Sequence, residues 1–321
     1  MSANSDALLQ VRDLVVEFST HAGTVKAVSG VTFDLAHGET LALVGESGCG
    51  KSTIARAVLQ LPRPTSGSVK LEGEELTGLS GGQMRAVRRK LQIIFQDPIA
   101  SLNPRMTVGQ IVEAPLKVTG IMPDAKARKA RVEEMLEAVG LDPSVAVDKR
   151  PHEFSGGQCQ RISIARALIL EPEVLVCDEP VSALDVSIQA QILNLLEDMK
   201  DRYALTMLFI SHDLAVVKSV ADKVAVMYLG KICEVAPSKV LYQAPKHPYT
   251  KALLSAIPIP DPSAPLGRPE LIDGDLLSPM NPPSGCVFRT RCPLATDLCA
   301  EQIPPLRTDA EGRQLACHHT M

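Results

Sequence analysis

The amino-acid sequence predicts an α/β fold organised around a parallel sheet, and three observations carry that prediction. Strand-like and helix-like segments alternate through residues 156–229, the pattern that parallel sheets produce. A continuous apolar run at 40–44 enters a glycine-rich loop that opens into a helical segment. A chain of 321 residues, 45% hydrophobic and 22% charged, is long enough to bury such a core without cross-links.

Taken in order, residues 11–18 (VRDLVVEF) and 26–35 (KAVSGVTFDL) are rich in β-branched residues and alternate in part. They flank the turn-prone stretch 20–24, which predicts an N-terminal antiparallel β lobe. Residues 40–44 form a buried strand, 45–50 the loop and 51–60 a helix. A strand follows at 91–95. Residues 107–140 read as mostly helical, with helical spacing of apolar residues over 128–140 and Gly140 suited to ending that helix. An inserted helical subdomain over about 98–165 is the natural reading. Beyond it come helix 156–170, strand 174–178, helix 187–202, strand 205–210, helix 213–220 and strand 223–229. The composition then changes, and the proline-dense stretch 258–283 predicts a linker. The expected division is a main domain over 1–235 and a loop-rich C-terminal extension over 236–321.

The formal net charge of −4 leaves no basic footprint for a nucleic-acid partner, and Arg85, Arg88, Arg89 and Lys90 read as a solvated helix face. The first ten residues lack the basic and apolar regions of a secretory signal, and no apolar stretch approaches the roughly 20 residues of a spanning helix. Residence in the cytoplasm, with any membrane contact made through a partner, is the expectation.

Gly45, Glu46, Ser47, Gly48, Cys49, Gly50, Lys51 and Ser52 fit the P-loop pattern G-x-x-x-x-G-K-[ST]. In such a loop backbone N–H groups surround phosphates, Lys51 reaches the β and γ oxygens, and Ser52 ligates Mg2+, with Thr53 next to it on the helix. The expected ligand is ATP. A second apolar run, 175–177, ends in Asp178 and Glu179. Beside a phosphate loop, Asp178 would stand near Mg2+ through water, and Glu179 near the γ-phosphate, where it polarises the attacking water. Phe154-Ser155-Gly156-Gly157-Gln158 precedes a helix, and a Ser hydroxyl with unhindered Gly amides there makes either an anion site or a plain N-cap.

These motifs and their order resemble the ABC ATPases over essentially the full chain. The resemblance implies a P-loop NTPase (RecA-like) core. It makes Ser155, Gly156, Gly157 and Gln158 the signature sequence, with Phe154 where Leu is commoner, facing the ATP held by an opposite subunit. It makes Gln96 the glutamine that senses Mg2+ and the γ-phosphate, residues 182–185 the D-loop, and His212 the switch histidine. Phe18 is a candidate for stacking on adenine, or a core residue of the first lobe. Three stretches, 95–107, 177–188 and 247–250 (His-Pro-Tyr-Thr), resemble the dipeptide/oligopeptide and nickel importer ATPases, nearer the second of their two types. That implies ATP hydrolysis driving peptide import, or the same motor for another small solute such as nickel or an opine. The implied partners are a second, different ATPase subunit, two transmembrane permease subunits and an extracytoplasmic solute-binding protein. The implied location is the cytoplasmic face of the inner membrane, peripherally bound. A soluble, non-transport ABC ATPase would carry long inserted arms or a second ATPase domain, and neither is visible.

Four cysteines crowd the last 36 residues as Cys286-x5-Cys292-x6-Cys299-x17-Cys317, in a segment that reads as loop with too little apolar content for a core. Disulfides are disfavoured in a reducing compartment, and the C-x2–4-C pairs of a zinc ribbon are absent. The spacing suits an iron-sulfur ([4Fe-4S]) cluster, which some of the ATPases it resembles carry, with zinc (Zn2+) or unligated thiols as alternatives. Arg289 and Arg291 would then offset the cluster charge, or sit as solvated surface residues.

Overall fold

Paired strands open the chain in the computed structural model, which describes residues 7–21, 23–257 and 278–320. β1 (Ala7–Thr20) and β2 (Gly23–Ala36) run antiparallel with Val11 opposite Phe33, and their apolar residues Leu9, Val11, Leu14 and Val31 are buried. β3 (Thr40–Val44) is buried at every position and leads through the glycine-rich loop into α1 (Lys51–Val58). β4 (Ser66–Leu71) and β5 (Glu74–Glu75) complete a sheet of order β2-β1-β4-β5, adding two unforeseen strands to the antiparallel lobe that the alternation over 11–35 predicts.

The chain forms two compact units, one from residues up to Thr77 together with those from Ile210 onward, the other Gly78–Phe209. The second contains α2 (Gly81–Lys90), β6 (Leu91–Ile94), α3 (Val108–Thr119), α4 (Ala125–Ala138) and α5 (Pro143–Ala146). α6 (Gly156–Leu168), β7 (Val174–Asp178) and α7 (Val186–Tyr203) follow, and β8 (Thr206–Ser211) begins at its end. Its strands take the order β8-β7-β6, with Leu91 opposite Val174 in parallel register. Local chemistry sets the helix starts. Ser80 with Gln83, Thr107 with Gln110 and Ser155 with Gln158 each make a reciprocal capping box, so orphan N–H groups at both sides of the cap are satisfied. Gly140, at a φ of 75°, turns the chain after α4. On α2 Arg85, Arg89 and Lys90 are exposed while Arg88 is half-buried, and Met84 and Val87 are buried.

The first unit continues with α8 (Leu214–Val220), β9 (Lys223–Tyr228), β10 (Lys231–Pro237), α9 (Ser238–Gln243) and α10 (Pro248–Ser255). After the undescribed stretch come α11 (Asp297–Glu301), β11 (Arg307–Thr308) and β12 (Gln314–Leu315). Here the strand order is β11-β12-β10-β9-β3, parallel between β3 and β9 and antiparallel from β9 outward. Most of the expected linker 258–283 lies outside the described residues.

The C-terminal segment departs from its reading as coreless loop. β12 pairs with β10 at Glu234 and Val235, extending the sheet. Phe288 is buried against Tyr228, Tyr249 and His247, with ring centroids 5.2, 5.3 and 5.8 Å away. Arg313, almost without exposure, donates to the buried Glu234 carboxylate at 3.1 Å and to the Ala244 carbonyl at 2.7 Å. The same carboxylate accepts the backbone N–H groups of Lys246 and His247, so the buried charge pair is surrounded by donors. Among the described residues no helix is long and apolar enough to cross a membrane.

Candidate functional site

Within the first unit, the loop between β3 and α1 adopts an anion-binding shape. The N-cap of α1 is Gly50, at a φ of 106°, and no side chain caps this helix, so its first N–H groups point to the loop's open end. A side chain at Gly50 would run into the Ala27 carbonyl oxygen, so both the dihedral and the space require glycine. Lys51 is buried and donates from Nζ to the carbonyls of Gly45 at 2.8 Å and Glu46 at 3.0 Å. Ser52 and Thr53 occupy the first turn of α1, both partly exposed, while Ser47 and Gly48 lie exposed on the loop. The buried Cys49 thiol, 3.9 Å from Lys51 Nζ, is pushed above its usual pKa by burial, which makes it an unreactive packing residue.

Glu46 is held on three sides. Its N–H donates to the Tyr249 hydroxyl at 2.9 Å, its carbonyl takes Lys51, and its carboxylate takes Arg291 Nη1 at 2.8 Å. His212 follows β8 on the surface, and Asp213 caps α8 by accepting from Ala215 and Val216. Phe18 is 40% exposed on β1, which removes the reading of it as a core residue.

Within the second unit, β7 ends on Asp178, fully buried, and Glu179 follows at a φ of 49°. A left-handed backbone costs a residue that carries a Cβ, such as Glu, about 1 kcal/mol or more, and such residues concentrate at functional sites. Gln96 Nε2 donates to Glu179 Oε2 at 2.9 Å, so two predicted residues 83 apart in sequence meet. Because a carboxylate only accepts, the amide must turn its NH2 to Glu179, which leaves its carbonyl oxygen for another partner. Ser155 caps α6, with Gly156, Gly157 and Gln158 in the first turn. A side chain on Gly157 would meet Ile188 Cγ2 at 2.6 Å, so the signature glycines pack against the start of α7, next to the predicted D-loop.

The iron-sulfur reading of the C-terminal cysteines is overturned. Among the described residues no group of three or more His, Cys, Asp or Glu side chains is placed to hold a metal ion, and all eight cysteines are free. That finding removes zinc with the cluster. The segment is tied down by other means: Phe288 in its aromatic cluster, the Arg313 and Glu234 pair, and the Cys286 N–H bonded to the Cys299 carbonyl. Cys299 Sγ lies 3.2 Å from His319 Nε2, an ordinary thiol and imidazole contact. Arg289 binds the Ser284 carbonyl, and Arg291 binds Glu46, so neither offsets a cluster. Sequence reasoning missed Arg291, Tyr228 and Tyr249 as neighbours of the phosphate loop. His-Pro-Tyr-Thr at 247–250 stood out as a family stretch, but nothing in the linear pattern assigned it a contact.

A glycine-rich loop between a parallel strand and an uncapped helix, its lysine folded onto the loop, and a buried carboxylate ending another parallel strand define a P-loop nucleotide hydrolase. The comparisons narrow this class. Residues 28–182 match the ABC transporter family, and residues 233–299 match the C-terminal region of oligopeptide/dipeptide transporters. The putative oligopeptide transport ATP-binding protein YkfD of Bacillus subtilis is 55% identical, covering 97% of this chain and 95% of its own. The oligopeptide transport ATP-binding protein OppF of Escherichia coli is 53% identical, covering 93% and 92%. Among solved structures, a dimeric post-hydrolysis state of the ATP-binding cassette MJ0796 bound to ADP and Pi superposes with a TM-score of 0.66 at 27% identity, covering 72% of this chain and 98% of that one. The chain belongs to the ABC transporter family, as one of its ATP-binding, ATP-hydrolysing subunits.

Proposed function

We infer that this subunit powers the import of di- and oligopeptides across the cytoplasmic membrane. The observation that carries the reading is its full-length likeness to peptide-import ATP-binding proteins, which extends through the C-terminal region. Two such ATPase subunits, different from one another, would work with two permease subunits and an extracytoplasmic solute-binding protein, at the cytoplasmic face of the membrane. The reading keeps residues 1–235 as the nucleotide-binding domain, with its helical subdomain at about 98–165, and 236–321 as the extension.

In this reading the loop Gly45–Ser52 and Thr53 bind the triphosphate of ATP, and Lys51 exchanges its loop carbonyls for β and γ oxygens. The Ser52 hydroxyl on the first unit and, on the second, the Asp178 carboxylate and the Gln96 carbonyl are each hard oxygen donors of the kind Mg2+ takes. Mg2+, when bound, neutralises charge on the β and γ oxygens. Glu179 takes the proton of the attacking water, and the Gln96 contact holds its carboxylate in place. His212 contacts the γ-phosphate, Phe18 stacks on adenine, and Ser155, Gly156, Gly157 and Gln158 offer their capped helix end to the ATP of the opposite subunit.

The test is reconstitution of the assembled transporter in vesicles with internal ATP. The expected result is ATPase activity and uptake that rise with added oligopeptide and its binding protein. Stimulation by nickel or an opine, with none by peptides, would replace the substrate assignment.

A further inference from the structure

The phosphate loop and the C-terminal extension meet at one residue, Glu46. Arg291 Nη1 lies 2.8 Å from its carboxylate and 3.3 Å from the Tyr228 hydroxyl, with the guanidinium 5.8 Å from the Tyr228 ring centre. The Arg291 side chain is 8% exposed and that of Glu46 is 22%, so solvent screens the pair weakly. Two anchors hold the arginine in place. Its N–H closes a turn onto the Phe288 carbonyl, and Phe288 is locked among Tyr228, Tyr249 and His247. Tyr249, on α10, approaches the same residue by a separate route, its hydroxyl accepting the Glu46 N–H at 2.9 Å.

This arrangement has two physical consequences for the loop. A carboxylate beside a phosphate site repels the ligand it serves, and a guanidinium at hydrogen-bond distance cancels that repulsion. The Tyr249 hydroxyl turns one loop amide away and fixes the backbone that presents the others. We propose that the C-terminal extension sets the charge and shape of the phosphate loop, with Arg291 and Tyr249 acting on Glu46 as positioning residues for nucleotide binding. The proposal rests on the assignment of Gly45–Ser52 as the ATP site. Neither residue touches the nucleotide; both act through Glu46.

The test measures ATP affinity of the full chain by competition with a fluorescent ATP analogue, with thermal melting run beside it. Arg291→Ala is expected to weaken ATP binding about tenfold, the scale of one uncompensated charge at this range. Adding Glu46→Gln to Arg291→Ala removes the exposed repulsion and is expected to recover most of that loss. A merely structural role for Arg291 would give no such recovery. Tyr249→Phe, which deletes one hydroxyl from a packed ring, is expected to weaken binding several-fold and serves where Arg291→Ala does not fold. Lys51→Ala is the control on the site itself. If Lys51→Ala weakens binding by its expected loss, on the order of 100-fold, while Arg291→Ala and Tyr249→Phe bind as wild type, the proposal is wrong and the ATP site stands. A double variant no tighter than Arg291→Ala also overturns it. If Lys51→Ala binds as wild type, the site assignment fails and the proposal falls with it.

Discussion

Lys51 rests against the Gly45 and Glu46 carbonyls inside the loop that it serves. A phosphate that enters the loop offers the ammonium charged oxygens in place of neutral ones, and charge-assisted bonds are the stronger. Lys51→Ala should therefore weaken ATP binding on the order of 100-fold, which equilibrium titration of the purified chain measures. His247 supplies a second residue-scale expectation. Burial holds its pKa down at about 4, against a bond from its ring to the Ala316 carbonyl that works upward. The unfolded chain therefore binds a proton below its own pKa of about 6.5 that the folded chain refuses. Stability from this group is fully present above pH 6.5 and is lost as pH falls toward 4, by up to about 3 kcal/mol. Urea titrations across that range should show the fall, and His247→Gln should flatten it. The residues of the phosphate loop and the Asp178-Glu179 pair were legible because each group is contiguous in sequence. Arg291 was not, since 245 residues separate it from Glu46 and no local pattern records a contact across that distance.

Among elements, the buried parallel strands read most clearly. β3 and β7 have the limits 40–44 and 174–178 that the sequence marks, because a strand buried on both faces is nearly continuously apolar, here with one polar residue at an end, Thr40 or Asp178. Helices α6 and α7 end within two residues of the periodic pattern. β4, β5, β10 and the short β11 and β12 were missed. β12 pairs in register with Glu234 and Val235, near the point where the composition shift marked the start of the loop-rich extension. A two-residue strand has no periodicity to read, and its stability comes from the sheet edge it joins. The C-terminal segment accordingly depends on long-range contacts, Arg313 with Glu234 foremost. Arg313→Ala leaves the Glu234 carboxylate buried without its countercharge and should destabilise the fold by about 3–5 kcal/mol. Denaturant unfolding followed by tyrosine fluorescence would show it, and Arg313→Met should cost less than Arg313→Ala because it restores packing volume.

At the scale of the whole molecule, the capped end of α6 and the D-loop stretch lie side by side on the second unit, with Ser155, Gln158, Ser182 and Asp185 all exposed. If this capped end serves the ATP of an opposite subunit, as proposed, the isolated chain should turn ATP over poorly and gain activity with its partner subunits. Full activity of a dilute chain shown by light scattering to be monomeric would contradict a shared site. The proposed motor depends on Glu179 acting as the base, a residue held at its strained backbone by the strand end and at its carboxylate by Gln96. The most direct measurement is the ATPase rate of the assembled transporter carrying Glu179→Gln, with ATP binding measured on the same preparation. The amide keeps the shape and loses the basicity, so binding should persist while turnover falls by about 100-fold or more. Turnover at the wild-type rate would contradict the account, because the proton of the attacking water would then leave by another group.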